Sequence, residues 1–270
     1  LLEDLTKRVS VRARLLATMA SGILGWGITG VALTHVNVPG LDWLLGFTAI
    51  SVLFTAFAVG GVANAINIID GFNGLTAGVT LIMLGAFGLI ARLVGDIALA
   101  FTCLVIAAAV AGFFVMNWPR GKIFLGDGGA YFLGFALAWI AVLLPERNAS
   151  VSPWSSLLIC IYPIAEVVMS FVRKSLRPGS HPSQPDAVHL HMLANRRWAK
   201  KLWPNASLTT QNGLTAPLLW LYTLLPCSAA VFFYTSFWAT LGALVVSFVF
   251  YLLMYHKLAF FRWLPRGKQD

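Results

Sequence analysis

Long apolar stretches separated by short polar breaks dominate the chain from residue 15 onward. A helix of about 20 apolar residues crosses a bilayer. Windows of roughly that length fall at about 15–36, 41–64, 75–94, 97–117, 130–145, 153–172, 214–235 and 237–256. They predict an all-α fold: a polytopic transmembrane helix bundle with eight spans, forming a single integral membrane domain over residues 1–270. The fifth window is short and rich in Gly and Ala. No internal repeat, low-complexity tract or separate soluble domain interrupts the pattern.

The polar breaks are strongly asymmetric. With residues 1–14 on the cytoplasmic side and the spans alternating, the inner segments hold Lys7, Arg8, Arg12, Arg14, Arg120, Lys122, Arg173, Lys174, Arg177, Arg196, Arg197, Lys200, Lys201, Lys257, Arg262, Arg266 and Lys268. These are 17 of the 19 basic residues, leaving Arg92 and Arg147 outside. Such a split is the positive-inside pattern of a plasma-membrane protein. The outer connections are short, whereas the inner ones, about 1–14, 65–74, 118–129 and 173–213, are longer and polar, so function is expected on the cytoplasmic face.

Composition agrees. The hydrophobic fraction is 59%, only 11% of residues are charged and mean hydropathy is +0.79, which excludes an ordinary soluble domain. The net charge of +9 follows from membrane sidedness and is no sign of nucleic acid. Cys103, Cys160 and Cys227 lie in apolar runs without metal-ligand spacing, so neither a disulfide framework nor a zinc site is expected. His35 and His256 sit at span ends, and Phe260–Trp263 reads as an interfacial anchor. The chain opens on Leu1 with no signal-peptide pattern, and an N-terminal portion is expected to be missing.

Five of the ten acids gather on the inner face: Glu3, Asp4, Asp70, Asp127 and Asp186. Carboxylates at membrane depth are costly and usually serve metal or proton chemistry. Asn64, Asn67, Asp70 and Asn73 recur every three residues and drift around one helix face, a register that could bind a metal, a nucleotide or both. In Arg120–Ala130, Asp127 stands among glycines behind two cations, as a magnesium ligand beside a phosphate cradle would. The simpler reading of Asp127 is a helix N-cap. Asp186, His189 and His191 follow Arg173, Lys174 and Arg177. The i, i+2 histidine spacing suits a loop that offers both rings to one ligand, with polyphosphate a better match than zinc. Arg173 and Lys174 also read as ordinary positive-inside charge. Glu166, inside the sixth window, is a bundle-interior residue with no evident partner.

Together these segments resemble the polyprenyl-phosphate N-acetylhexosamine-1-phosphate transferases, glycosyl transferase family 4. That family carries an acidic pair, an Asn-x-x-Asp-Gly-x-Asp/Asn-Gly segment, a Gly-Asp-x-Gly segment and a late His-rich loop. Here these match Glu3-Asp4, Asn67 to Gly74, Gly126 to Gly129 and Asp186 to His191. Members have ten or eleven spans, so eight here would imply about three more before them. Three departures stand out: Glu3 for the usual Asp, Asn73 for a frequent Asp, and Met192 where the pattern ends on His. The His loop also lacks the three consecutive His of the muramoyl-pentapeptide enzyme, which points to the surface-glycan branch, with lipopolysaccharide O-antigen or related cell-wall biogenesis as the setting.

The resemblance implies a transferase that moves an N-acetylhexosamine-1-phosphate from a UDP-sugar to undecaprenyl phosphate and releases UMP, in a bacterial inner membrane with its active site in the cytoplasm. It implies Mg²⁺, with Mn²⁺ as alternative, bound principally by Asp127 with Asn67 and Asp70. Glu3 and Asp4 would orient or deprotonate the lipid phosphate. Asp70, His189 and His191 would act at the reacting groups, and Asn64, Asn67, Asn73, Arg173 and Arg177 would contact substrate. The membrane lipids and a second copy of the chain are further candidate partners. The rival readings are an anionic-solute transporter or channel and a degenerate, inactive relative. Against transport, the polar groups cluster at one face and no inverted repeat is visible.

Overall fold

The computed structural model describes residues 11–176 and 188–260. Glu3, Asp4, Arg177 and Asp186, and most of the Phe260–Trp263 cluster, lie outside the described residues. The elements are α1 (Val11–Thr29), α2 (Pro39–Leu45), α3 (Thr48–Ile69), α4 (Leu75–Leu93), α5 (Ile97–Asn117), α6 (Gly126–Arg147), α7 (Pro153–Ile159), α8 (Ile161–Ser175), α9 (Leu190–Ala194), α10 (Lys200–Leu202), α11 (Leu208–Gly213), α12 (Ala216–Phe233) and α13 (Phe237–Phe260). One π turn, Asn195–Ala199, joins α9 to α10. The described residues contain no strand.

Among the described residues six helical stretches are long and apolar enough to cross a membrane: α3, α4, α5, α6, the Leu208–Phe233 stretch and α13. The α7–α8 pair, bent by 74°, would make a seventh. The eight expected spans thus become six to seven, and the differences have local causes. The first window is α1, which opens on Arg12 and Arg14 and is not among the six. It ends at Thr29, and residues 30–38 continue without helix from Gly30, at φ +69°. The second window splits at Gly46–Phe47 into α2 and α3, and α3 runs on to Ile69. The fifth window, the shortest in sequence, is a full helix of 22 residues. The sixth breaks at Cys160, three residues before Pro163, which has no N–H to give to an earlier carbonyl. The inner loops are also shorter than expected, because 65–69, 126–129 and 173–175 are helical.

At the centre α3 packs against α1, α6 and α8, while α4 lies between α5 and α12. Small residues allow the closest crossings, as in membrane interfaces generally. A Cβ placed on Gly22 would lie 2.9 Å from the Ala56 Cα, and one on Gly134 would lie 2.6 Å from the Ala63 Cα. Buried Ile66, Ile69, Leu75, Phe87, Ile90 and Tyr162 fill the core. By contrast α5 and α13 expose Phe101, Leu104, Val246 and Leu253 to the surroundings, as lipid-facing helices do.

The length of α6 separates two polar ends, Asp127 in its first turn and Arg147 in its last, about 30 Å apart at 1.5 Å per residue. The Arg147 end is latched. The Arg147 guanidinium donates from Nε to Asp96 Oδ2 at 2.7 Å and from Nη2 to Oδ1 at 2.9 Å. Thr34 donates from N and Oγ1 to the Glu146 carboxylate, both at 2.8 Å. The three cysteines are free and buried.

Candidate active site

The other end gathers most of the polar residues singled out in sequence. Because α3 extends to Ile69, Asn67 lies on its last turn and Asp70 is its C-terminal cap, φ −78° and ψ 62°. An acid at a helix C-terminus opposes the macrodipole, so capping gives no reason for it. Asp127 has the opposite setting, in the first turn of α6, where the dipole favours its charge. It is not the N-cap: Leu125 holds that position, without a side-chain hydrogen bond. Asn67 Nδ2 donates to Asp127 Oδ1 at 3.0 Å, joining α3 to α6 across 60 positions of sequence. Burial pushes the Asp70 carboxyl above its ordinary range, and the negative charge of Asp127 adds to that push. Asn67 thus links the two acids, with Asp127 on its side chain and the Asp70 N–H on its backbone carbonyl at 3.2 Å.

The turn after Asp70 is clamped from two sides. Asn73 N donates to Asn212 Oδ1 at 2.7 Å, and Asn73 Nδ2 donates to the Pro119 carbonyl at 3.2 Å. Gly74 N donates to Asn117 Oδ1 at 2.5 Å, while Asn117 Nδ2 donates to the Ile123 carbonyl at 2.8 Å. Trp118 Nε1 reaches the Gly213 carbonyl at 2.9 Å, and Trp220 Nε1 reaches the Gly74 carbonyl at 3.1 Å. Phe114, Trp118 and Trp220 pack ring against ring beneath this turn, with centroids 5.4–5.7 Å apart. Gly74 needs to be glycine twice over, at φ +75° and with Trp118 occupying the space of its Cβ. Asn117, Trp118 and Asn212 were not singled out in the sequence, since a lone Asn or Trp beside a span carries no spacing signal.

The remaining candidates divide. Asn64, one turn deeper than Asn67, donates to Thr18 Oγ1 at 3.0 Å and to the Gly60 carbonyl at 2.7 Å. Asn73 is 7% exposed and held as described. Both side chains are thus engaged in helix and loop contacts instead of joining Asp70 and Asp127. Arg173 donates from Nη1 to Tyr255 Oη at 2.6 Å and to the Val188 carbonyl at 3.3 Å. Its guanidinium also lies over the Tyr255 ring, 5.7 Å from the centroid. It thereby ties α8 to α13 and to the start of the histidine segment. His189 and His191 do offer both rings to one partner, and that partner is Glu166. His189 Nδ1 lies 3.2 Å from Glu166 Oε2, and His191 Nδ1 lies 3.4 Å from Oε1. The His191 ring meets the edge of Phe72 at 5.7 Å, which sets it against the Asp70–Gly74 turn.

Among the described residues no group of three or more His, Cys, Asp or Glu is placed to hold a metal ion. Soft or multi-carboxylate cages are therefore absent from them. A hard divalent cation that keeps its waters needs less: one or two carboxylates plus substrate phosphate. The carboxylates of Asp70 and Asp127 have donor chemistry that fits such an ion, and the amide nitrogen of Asn67 holds the second of them. Arg120, Lys122, Arg196, Arg197, Lys200 and Lys201 lie on segments flanking this end, so its field attracts anions.

Comparisons with known proteins bear on the family of the chain. The sequence profile of glycosyl transferase family 4 matches residues 1–145. The chain is 29% identical over 193 residues to an undecaprenyl-phosphate alpha-N-acetylglucosaminyl 1-phosphate transferase of Yersinia pestis, covering 70% of this chain and 53% of that protein. The protein of the same description from Escherichia coli strain K12 is 30% identical, with 70% and 52% covered. A phospho-N-acetylmuramoyl-pentapeptide-transferase of Clostridium perfringens is 34% identical over 130 residues, 48% of this chain and 41% of that protein. The chain thus spans about half the length of the relatives it matches.

Proposed function

Because the chain belongs to glycosyl transferase family 4, the polyprenyl-phosphate sugar-phosphate transferases, we propose that it moves an N-acetylhexosamine-1-phosphate from a UDP-sugar to undecaprenyl phosphate, releasing UMP. The observation that carries this reading is the meeting of Asn67, Asp70 and Asp127 at the more basic end of the bundle. The relatives that match over the greater share of the chain are described as undecaprenyl-phosphate alpha-N-acetylglucosaminyl 1-phosphate transferases, which favours an N-acetylglucosamine donor; a role in initiating a lipid-linked surface glycan is part of the same proposal. The excess of Lys and Arg at this end supports a site facing the cytoplasm in the bacterial inner membrane.

Phosphoryl transfer between two anions is chiefly a matter of positioning and charge neutralisation. Asp127 and Asp70, with Asn67, would hold Mg²⁺ or Mn²⁺, which when bound supplies charge neutralisation at the diphosphate and at the departing UMP. Asn67 fixes the Asp127 carboxylate by its 3.0 Å hydrogen bond, so that carboxylate is oriented before substrate arrives. The clamps on Asn73 N and Gly74 N hold the backbone of the turn that follows Asp70. His191, and His189 beside it, bring imidazole edges to the same turn, where they suit a phosphate oxygen. Glu3 and Asp4 would orient the lipid phosphate, or take its proton where it is a monoanion.

The test uses the full-length protein in detergent with UDP-N-acetylglucosamine, undecaprenyl phosphate and Mg²⁺. Release of UMP that stops on chelation is expected from the wild type, and its loss from Asp127→Asn and Asp70→Asn with an unchanged unfolding temperature. Normal turnover in both variants would remove the mechanism, and no UMP from the wild type would remove the transferase reading.

A further inference from the structure

Glu166, on α8, takes no part in the chemistry above, yet it is 1% exposed and both loop histidines converge on it. Its Oε2 accepts from His189 Nδ1 and from the Leu190 backbone N, each at 3.2 Å. The second of these bonds satisfies an orphan N–H in the first turn of α9. Its Oε1 faces His191 Nδ1 at 3.4 Å. The two rings lie parallel, 5.3 Å apart with an interplanar angle of 7°, so one carboxylate sets the tilt of both.

Desolvation disfavours a carboxylate this deep unless it is paired, and a residue wanted for packing alone would be apolar. Pairing through Nδ1 has a geometric consequence. When one imidazole nitrogen is tied to a carboxylate, the tautomer and the direction of the other nitrogen follow. For His191 the contact is an ion-pair distance of 3.4 Å from Nδ1 to Glu166 Oε1 and not a formed hydrogen bond, and the other atom, Nε2, is likewise fully buried without a hydrogen-bond partner. Buried polar atoms are nearly always paired. This one abuts the residue after Asp70: a Cβ on Gly71 would lie 3.5 Å from it.

We propose that Glu166 is the positioning residue of the site, anchoring His189 and His191 through their Nδ1 atoms so that His191 Nε2 is presented beside Asp70 to a phosphate oxygen of the substrate. The inference rests on the transferase reading for its ligand, but the anchoring itself is a property of the resting protein. Glu166 does not touch substrate; it acts through the rings.

The experiment compares wild type, Glu166→Gln, Glu166→Asp, His191→Asn and the Glu166→Gln/His191→Asn double variant in the full-length chain. UMP release gives kcat and KM, and imidazole ¹⁵N spectra of histidine-labelled protein in detergent give the tautomers. Outer-shell partners of this kind are worth roughly 10- to 100-fold in activity, so Glu166→Gln should fall by that range while Glu166→Asp recovers part of it. The double variant should lose less than the product of the two single losses, because part of the Glu166 effect runs through the His191 ring. In the spectra both Nδ1 atoms should carry protons in the wild type, and the His191 ring should lose that preference in Glu166→Gln. Losses that multiply in the double variant, or a wild-type rate in Glu166→Gln, overturn the inference. So does an Nδ1-unprotonated His191 in the wild type, a readout that holds even if Glu166→Gln fails to fold. A wild type that releases no UMP but shows the expected tautomers would sink the transferase reading and leave the anchoring standing.

Discussion

Replacing Gly134 with Ala tests whether the packing of the bundle sets the geometry of its mouth. Gly134 sits where α6 crosses α3, and an added methyl would lie 2.6 Å from the Ala63 Cα, 2.9 Å from the Ala63 carbonyl oxygen and 3.1 Å from the Ile66 Cβ. Two of these three atoms are backbone, so no rotamer change relieves the clash, and the helices must part by roughly 0.8 Å to reach ordinary contact. Overpacking of this kind costs about 1–3 kcal/mol. One turn beyond Ala63 is Asn67, and its 3.0 Å hydrogen bond to Asp127 spans the same pair of helices. Stretched by that amount it leaves hydrogen-bond range, roughly 3.2 Å for N–H to O. A displacement near 1 Å at reacting groups costs about 100-fold in rate. The expected outcome is a lower unfolding temperature in detergent together with a 10- to 100-fold fall in the rate of UMP release. Gly112→Ala on exposed α5, where a Cβ meets nothing within 4 Å, serves as control and should change neither. A Gly134→Ala protein that is less stable but turns over normally would refute the coupling between helix crossing and site.

Two further outcomes follow from contacts around the bundle ends. Asn117→Ala leaves the buried Gly74 N–H without its acceptor and frees the Ile123 carbonyl; a loss of about 1–3 kcal/mol is expected, read as a fall in unfolding temperature. At the opposite end burial pushes the Asp96 carboxyl up, but hydrogen bonds from Leu99 N, Arg147 and Asn148 outweigh it and hold the group below its ordinary value of 3.8. A depressed carboxylate stabilises the fold above that value and loses its contribution as pH falls through the folded-state value. Wild type should therefore exceed Asp96→Asn in unfolding temperature at neutral pH, with the gap closing below about pH 4. With Arg147 half exposed the difference should stay near 1 kcal/mol or less, and a gap that does not shrink at all as pH falls below the ordinary carboxylate value would contradict the assignment.

How much of this was legible in the sequence depended on the range of the forces involved. Apolar periodicity reports what a helix needs in order to be buried in lipid or protein, so each predicted window holds a helix. It does not report breaks set by one residue, such as the bend at Cys160 ahead of Pro163 or the split at Gly46–Phe47, nor the two arginines that leave α1 outside the six apolar stretches. The cluster of Asn67, Asp70 and Asp127 was foreseeable because charge at a span end is expensive wherever it occurs. Asn64, Asn73 and Arg173 share that composition but spend their side chains on Thr18, Pro119 and Tyr255. Residue type alone does not report which of these side chains meet across helices. The partners of Glu166 could not be read either, since 23 and 25 positions separate it from His189 and His191 and only the fold brings them together.

The central claim, that Asp70 and Asp127 serve one divalent cation, is most directly tested by titrating the full-length protein in detergent with Mn²⁺ and following free and bound metal by electron paramagnetic resonance. One site is expected in the wild type, competed by Mg²⁺ and weakened at least tenfold by either Asp70→Asn or Asp127→Asn alone. Wild-type affinity in both variants, or loss in only one of them, would contradict a shared cation.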